Sequence, residues 1–291
     1  MRTNYFVVTT PLQYLNALNI ETSGERIIMF LSGFTNSEKF YSNIIEKGVW
    51  DKTYYFSDYN KMFRHLIRKV EKTDKLFIDS DYGRVTNSKL RRIKTKEIYV
   101  YEEGIGTYRS NLLSKGNGWL KKNILKFLGN KEFFAGSKYV KGIYVYDHQR
   151  HKQSVPSFSK ERLHFKNDFS SQLENHIGIF IAPDLIEKYK NLFNAREVVL
   201  YLTSWNYNLR IEQYIQDLKQ IQKSDVLIIL KPHPHFKDFE KINLKYDDVV
   251  SGEVLVEILF ILLRKYSAGF VVLHENSSSL QYYPEINNVT F

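Results

Sequence analysis

The sequence predicts an α/β protein of two Rossmann-like domains, each on a mostly parallel sheet, facing an inter-domain cleft. Three observations predict it. Short β-branched and aromatic runs alternate with helix-like segments along the chain. The alternation lapses once, in a polar stretch after Tyr146, and then restarts. Polar or glycine-bearing loops follow many of the strand-like runs, and open parallel sheets put their ligands at those carboxyl ends. The domains are expected at 1–170 and 171–291, with the linker between about His148 and Asn175.

The elements follow in order. Tyr5–Thr9 reads as a strand. Thr10 then caps a helix that has Pro11 in its first turn and Leu12, Leu15 and Leu18 along it. Its N-terminus is a natural anion site, which Gln13 either faces or leaves for the surface. Strands are expected at 26–31, 53–56, 75–79 and 96–101, and helices at 38–47 and 61–70. The segment between Asp79 and Lys96 reads as polar, with Leu90 and Ile93. Trp119–Leu128 reads as a basic amphipathic helix, which either packs on its own protein or touches a membrane surface or acidic glycolipid. A strand is expected at 139–146. In the second half, strands are expected at 197–202, 225–230, 247–250 and 268–273, with helices at 209–222 and 254–263.

Composition narrows the function. The chain has 291 residues, 43% of them hydrophobic and 15% aromatic, enough for a sizeable core. It has no cysteine, which excludes a disulfide scaffold and a thiolate zinc site and fits a reducing compartment. No signal-peptide pattern opens the chain, and the run from Val254 to Leu263 is too short to span a bilayer. A cytoplasmic protein, peripheral at the inner membrane, is expected. The formal net charge of +10 is either a lysine-rich solvated surface or an attraction to anionic lipid, nucleic acid or a nucleotide-linked substrate.

Four strand exits carry chemistry. Glu102-Glu103-Gly104-Ile105-Gly106 puts two carboxylates and a glycine turn after a strand. Adjacent carboxylates disfavour each other's ionisation, which makes a base near neutrality; the alternative is a solvated acidic turn. Thr203-Ser204 ends another strand. His233 stands between Pro232 and Pro234, directly after Lys231, and is either a stiffly held acid or an idle loop residue. Ser277-Ser278-Ser279 offers hydroxyls at a predicted helix start, either an anion cradle or a simple N-cap. Strand ends of two Rossmann-like halves facing each other describe a GT-B architecture. Asp79-Ser80-Asp81 reads as a turn, with a metal role left open. His148 and His151, at i, i+3 without a nearby carboxylate, read weakly as metal ligands.

The order Glu102-Glu103-Gly104, Lys231-Pro232-His233-Pro234, Ser277-Ser278-Ser279 resembles the bacterial sialyltransferase signature of an acidic pair with glycine, a His-Pro and a serine pair. It looks like glycosyltransferase family 52, the lipooligosaccharide sialyltransferases, and like the polysialyltransferases of family 38. Thr9-Thr10-Pro11-Leu12-Gln13 also looks like the first-strand loop of family 52. The resemblance implies an inverting transfer of sialic acid from CMP-sialic acid to a cell-surface glycan or glycolipid of lipooligosaccharide or capsule, without metal or other cofactor. It implies Glu103 as base with Glu102 beside it, and His233 at the leaving CMP phosphate. Ser277, Ser278 and Ser279 would hold phosphate or sugar carboxylate, and Thr203 and Ser204 the nucleotide. Thr10, Gln13, Gly104, Lys231 and Pro234 complete the substrate-binding set. The first domain would take the acceptor and the second the CMP-sugar. Two rivals stand: a GT-B transferase using another nucleotide sugar, and a basic nucleic-acid or membrane-surface binding protein without catalysis. No nucleic-acid motif supports the nucleic-acid form of the second.

Overall fold

The computed structural model describes residues 2–34, 36–82, 84–114, 118–127, 129–204, 208–222, 226–233, 236, 245–252, 254–275 and 277–291. The chain divides into two compact units, Met1–Gln172 and Leu173–Phe291.

The first unit is built from β1 (Thr3–Val8), α1 (Pro11–Leu18), β2 (Glu25–Leu31), α2 (Ser37–Lys47), β3 (Lys52–Phe56), α3 (Tyr59–Lys69), β4 (Lys75–Ile78), α4 (Arg84–Leu90), β5 (Glu97–Tyr101), α5 (Trp119–Phe127), β6 (Gly142–Val145), α6 (His148–Ser154) and β7 (Glu161–His164). Its seven strands run in the order β3-β2-β1-β4-β5-β6-β7, and every described pairing is parallel. β1 is buried from Asn4 to Val8, as a central strand covered on both faces must be. Phe6 stacks on Phe77 of β4 at 4.6 Å, and Phe77 on Tyr99 of β5 at 5.6 Å, so one aromatic row crosses three neighbouring strands. Tyr101 donates its buried hydroxyl to the Val7 carbonyl, fastening the ends of β5 and β1 together.

The second unit follows α7 (Phe169–Phe180), within which the division falls. It carries α8 (Pro183–Phe193), β8 (Glu197–Leu202), α9 (Leu209–Gln222), β9 (Leu227–Lys231), β10 (Asp248–Val249), α10 (Val256–Tyr266), β11 (Gly269–His274) and β12 (Asn288–Thr290). The strand order is β10-β9-β8-β11-β12, again all parallel. α10 buries Ile258–Leu263 without a break, so it is apolar around most of its circumference. The α/β class with parallel sheets is the class the sequence predicts.

Several elements differ from expectation. The segment expected to be only polar contains α4, whose apolar residues, Val85 and Leu90, make no periodic stripe. The stretch read as an irregular linker holds α6 and β7. Asp147 caps α6 by accepting from the Arg150 N–H at 2.8 Å, and β7 completes the first sheet as an edge strand. α7 begins inside the expected linker, and α8 lies beyond it in a stretch where no element was expected. After β11 the chain makes a five-residue 3-10 turn, Ser278–Tyr282, in place of the expected helix.

Candidate active site

In the first unit the strand order reverses between β1 and β4, the crevice where open α/β sheets bind ligands. Three neighbouring strands end there. Thr9 follows β1, Asp79 follows β4, and Glu102-Glu103 follows β5.

Thr10 caps α1, accepting from the Gln13 N–H at 3.3 Å. Gln13 is buried and fully engaged. Its Oε1 accepts from the Thr9 N–H and the Thr9 hydroxyl, both at 2.7 Å, and its Nε2 donates to Asp79 Oδ2 at 3.1 Å. Gln13 therefore holds Asp79 in place rather than pointing at open solvent.

The two glutamates point to different environments, because successive residues at a strand end alternate. Glu102 is buried. Its Oε2 accepts from the Tyr108 hydroxyl at 2.6 Å and the Tyr146 N–H at 2.9 Å, and its backbone carbonyl accepts from Asn16 Nδ2 at 2.7 Å. Glu103 is exposed. Its backbone N–H donates to Thr107 Oγ1 at 2.9 Å, and Gly104, at φ 116 and ψ −150, turns the chain through a conformation open only to glycine.

The Glu103 carboxyl is pushed up to about 7, first by loss of solvation among its neighbours and second by the Asp79 carboxylate. Its side chain sits at a rim: wet enough to reach, crowded enough to lose solvation. Asp79 is pushed up to about 6, chiefly by desolvation, against hydrogen bonds that include Gln13 and Thr9. The pairing expected between Glu102 and Glu103 is thus corrected: the carboxylate that acts on Glu103 is Asp79, at the end of the neighbouring strand rather than next in sequence.

Asp81 has another task. It is buried and accepts from the Ala135 and Ser137 N–H groups, each at 2.7 Å. Among the described residues no group of three or more His, Cys, Asp or Glu is arranged to hold a metal. His148 stacks on His164 at 3.4 Å, and buried His151 accepts from Arg162 Nε at 3.0 Å through Nδ1. Each ring of the i, i+3 pair is thus engaged by its own unit.

In the second unit β8, β9 and β11 bring Thr203, His233 and Ser277 to one edge. Buried Thr203 is the organiser. It donates its N–H to the Lys231 carbonyl at 3.1 Å and accepts the His233 N–H on Oγ1 at 2.9 Å. Ser204 follows it, half-buried, as His233 is. Pro234 lies outside the described residues. Lys231 is buried, and its ammonium donates to the Ser251 carbonyl at 2.9 Å. Desolvation pushes it down to about 8, with Glu257 of α10 opposing. Glu257 is buried and raised by desolvation, and it accepts a hydrogen bond from Ser279. Glu257 thus bears on both groups, on Lys231 through its charge and on Ser279 through a hydrogen bond.

The serine run is corrected in part. Ser277 occupies the N-cap position without a side-chain cap bond, and its N–H donates to His274 Nδ1 at 3.1 Å. His274 is buried, with Nε2 at 3.1 Å from Asn288 Oδ1 and 3.2 Å from Thr290 Oγ1. Ser278 is exposed. A five-residue 3-10 turn lacks the aligned peptide dipoles of a long helix, so any anion held here rests on hydroxyls and local N–H groups. At the switch between β8 and β11, Asn208 donates to Glu275.

Sequence reading missed Thr107, Glu257 and His274, and it named Thr9 and Asp79 without linking them to Gln13 or Glu103. The available signal was positional: Thr9, Asp79 and His274 each end or follow a buried strand.

Residues 6–290 match the alpha-2,8-polysialyltransferase family. The chain belongs to that family. Of the two resemblances seen in the motifs, the polysialyltransferase one is thus shown. No curated protein sequence matches the chain. Solved structures similar to it include UDP-GlcNAc 2-epimerase from Methanocaldococcus jannaschii, at TM-score 0.57 and 12% identity, covering 100% of this chain and 89% of that one. UDP-N-acetylglucosamine 2-epimerase from Rickettsia bellii matches at TM-score 0.54 and 12% identity, over 99% of this chain and 78% of that one. The S. aureus MnaA–UDP structure matches at 0.52 and 13%, over 97% and 75%. At such identities the likeness is one of fold. Family membership makes the chain a sialyltransferase, an enzyme of the glycosyltransferase class, which uses a nucleotide-sugar donor and a glycan acceptor. Among the described residues no helix is long and apolar enough to cross a membrane.

Proposed function

We propose that this chain is an inverting, metal-independent transferase that moves sialic acid from CMP-sialic acid to a hydroxyl of a sialylated cell-surface glycan, extending an α-2,8-linked chain. The reading needs no cofactor. Glu103 takes the proton of the acceptor hydroxyl as its oxygen bonds to the anomeric carbon. The bond from that carbon to the CMP phosphate oxygen breaks, and CMP leaves with its charge balanced by a proton or hydrogen bond from His233. Thr203 holds the His233 backbone, and Ser204, Ser277 and Ser278 supply hydroxyls to the nucleotide or the sugar carboxylate. The acceptor side belongs to Met1–Gln172 and the donor side to Leu173–Phe291. The work is done at the cytoplasmic face of the membrane.

The observation that carries the reading is Glu103: an accessible carboxyl, pushed up to about 7, on the edge where β1, β4 and β5 end. A general base is most effective with a pKa near the working pH. The motif order and the family match support the donor.

The test compares thermal protection by CMP, UDP and GDP, and then incubates the protein with CMP-sialic acid and a soluble oligosialic acceptor. Protection by CMP alone and a ladder of longer oligosialic acids are expected. Protection by UDP without CMP, or CMP-sialic acid left untouched by every sialoside, overturns the reading.

A further inference from the structure

The segment that leaves Glu103 has an unusual charge pattern. Residues 104–131 contain Arg109, Lys115, Lys121, Lys122, Lys126 and Lys131 and no Asp or Glu; the next acid is Glu132. Within it, α5 is mounted the wrong way round for a surface helix. Trp119 is 78% exposed, Leu120 67%, Ile124 50% and Phe127 91%, and no residue of the helix is buried. At 100° per residue those four side chains fall in an arc of about 140°. The other side fastens the helix to its own unit. Lys122 and Lys126 reach Glu132 at 3.3 and 3.4 Å, Lys122 Nζ donates to Ser114 Oγ at 2.7 Å, and Asn130 Nδ2 donates to the Leu125 carbonyl at 3.1 Å. An ordinary surface helix buries its apolar stripe; α5 leaves its stripe in the open and turns Lys122 and Lys126 towards Glu132.

We propose that α5 docks on an anionic lipid surface, with Trp119, Leu120, Ile124 and Phe127 entering the headgroup–acyl boundary and the surrounding cations meeting the headgroups. Charge selects this occupant. Six cations, with acids only at the two ends of the segment, complement an anionic surface and repel a second copy, since an isologous pairing would set this same cationic stretch against itself. A tryptophan at one end of a short lysine-bearing apolar face suits the interface of a bilayer. The contact would hold the Glu103 edge beside the membrane, because Gly104–Tyr108 leads directly from that carboxylate into the cationic segment. This last consequence, delivery of a membrane-anchored glycan, rests on the transferase reading; the lipid contact does not.

The whole chain is sedimented with phosphatidylcholine vesicles, with and without phosphatidylglycerol, while tryptophan emission is followed. Binding to the anionic vesicles with a blue shift is expected. The double variant Trp119→Ala, Phe127→Ala should bind roughly tenfold or more weakly, in line with the loss of two interfacial side chains. Trp119→Phe should still bind but lose most of the shift, which assigns the signal to that residue. Lys121→Glu should weaken binding at low salt. Transfer to a soluble oligosaccharide should stay unchanged in all of them, and the vesicle assay uses no sugar, so failure here is separable from failure of the proposed reaction. Equal recovery with neutral and anionic vesicles, or full binding by the double variant, overturns the proposal. So does a concentration-dependent dimer, lost in the double variant, from a chain that leaves vesicles bare.

Discussion

At the scale of single residues, Glu103 and Asp79 differ in what makes them visible. Glu103 was legible because it follows a β-branched, aromatic run and precedes Gly104, a local pattern. Asp79 was read as part of a turn, with a metal role left open and no link to Glu103, because its adjacency to Glu103 comes from β4 and β5 lying side by side, which no short window of sequence contains. The misreading of Glu102 has the same origin: sequence neighbours at a strand end go to opposite sides. If Glu103 is the base, transfer should rise with pH and level off above about 7, as its raised carboxyl loses the proton. Glu103→Gln and His233→Ala should each lower turnover by about two to four orders of magnitude while CMP still protects the protein, as measured by initial rates and thermal shift. Asp79→Asn removes a charge that raises Glu103, so the ascending limb of the pH–rate profile should move to lower pH. An unmoved limb would mean that Glu103 does not sense Asp79.

At the scale of elements, strands were legible and polar helices were not. Runs such as Val7-Val8 or Leu227–Leu230 announce themselves by composition. α4 and α6 are held by tertiary contacts and a cap, which leave no stripe in the sequence. Periodicity found the apolar face of α5 but not its direction, because a repeat says which residues share a face and not what lies opposite it. Glu102 belongs to this scale: it joins the end of β5 to the 3-10 turn at Ile105–Tyr108 and to the end of β6. Glu102→Ala would leave the Tyr108 hydroxyl and the Tyr146 N–H without this acceptor. The expected loss is about 1–3 kcal/mol for each buried group, read from denaturant unfolding of the first unit. Glu102→Gln keeps the acceptor and should recover much of it.

At the scale of the whole molecule, acid stability should carry two opposed signatures. Buried His151 is pushed down to about 4 by desolvation and by the Arg162 charge. Its neutral form is favoured in the fold, so its contribution is complete above about 6.5 and is lost as pH falls towards 4, up to about 3 kcal/mol. Asp79, raised to about 6, works the other way: its contribution is present at low pH and is lost as pH rises from about 4 through 6. Unfolding measured across that range should therefore be shallow in the parent; in Asp79→Asn stability should fall as pH drops from about 6.5 towards 4, and in a His151→Phe variant that still folds it should instead rise as pH drops from about 6 towards 4. The order β3-β2-β1-β4-β5 has one more consequence. β1 acquires its β2 partner early in synthesis, but its other edge waits for β4, so the Thr9 hydroxyl meets Asp79 only after 70 further residues have emerged. The crevice is a late-closing feature: a nascent chain that stops short of β4 holds only one side of it, and one stalled before Glu103 would show a folded-looking half-sheet in which Asp79 has no carboxylate neighbour at the next strand end.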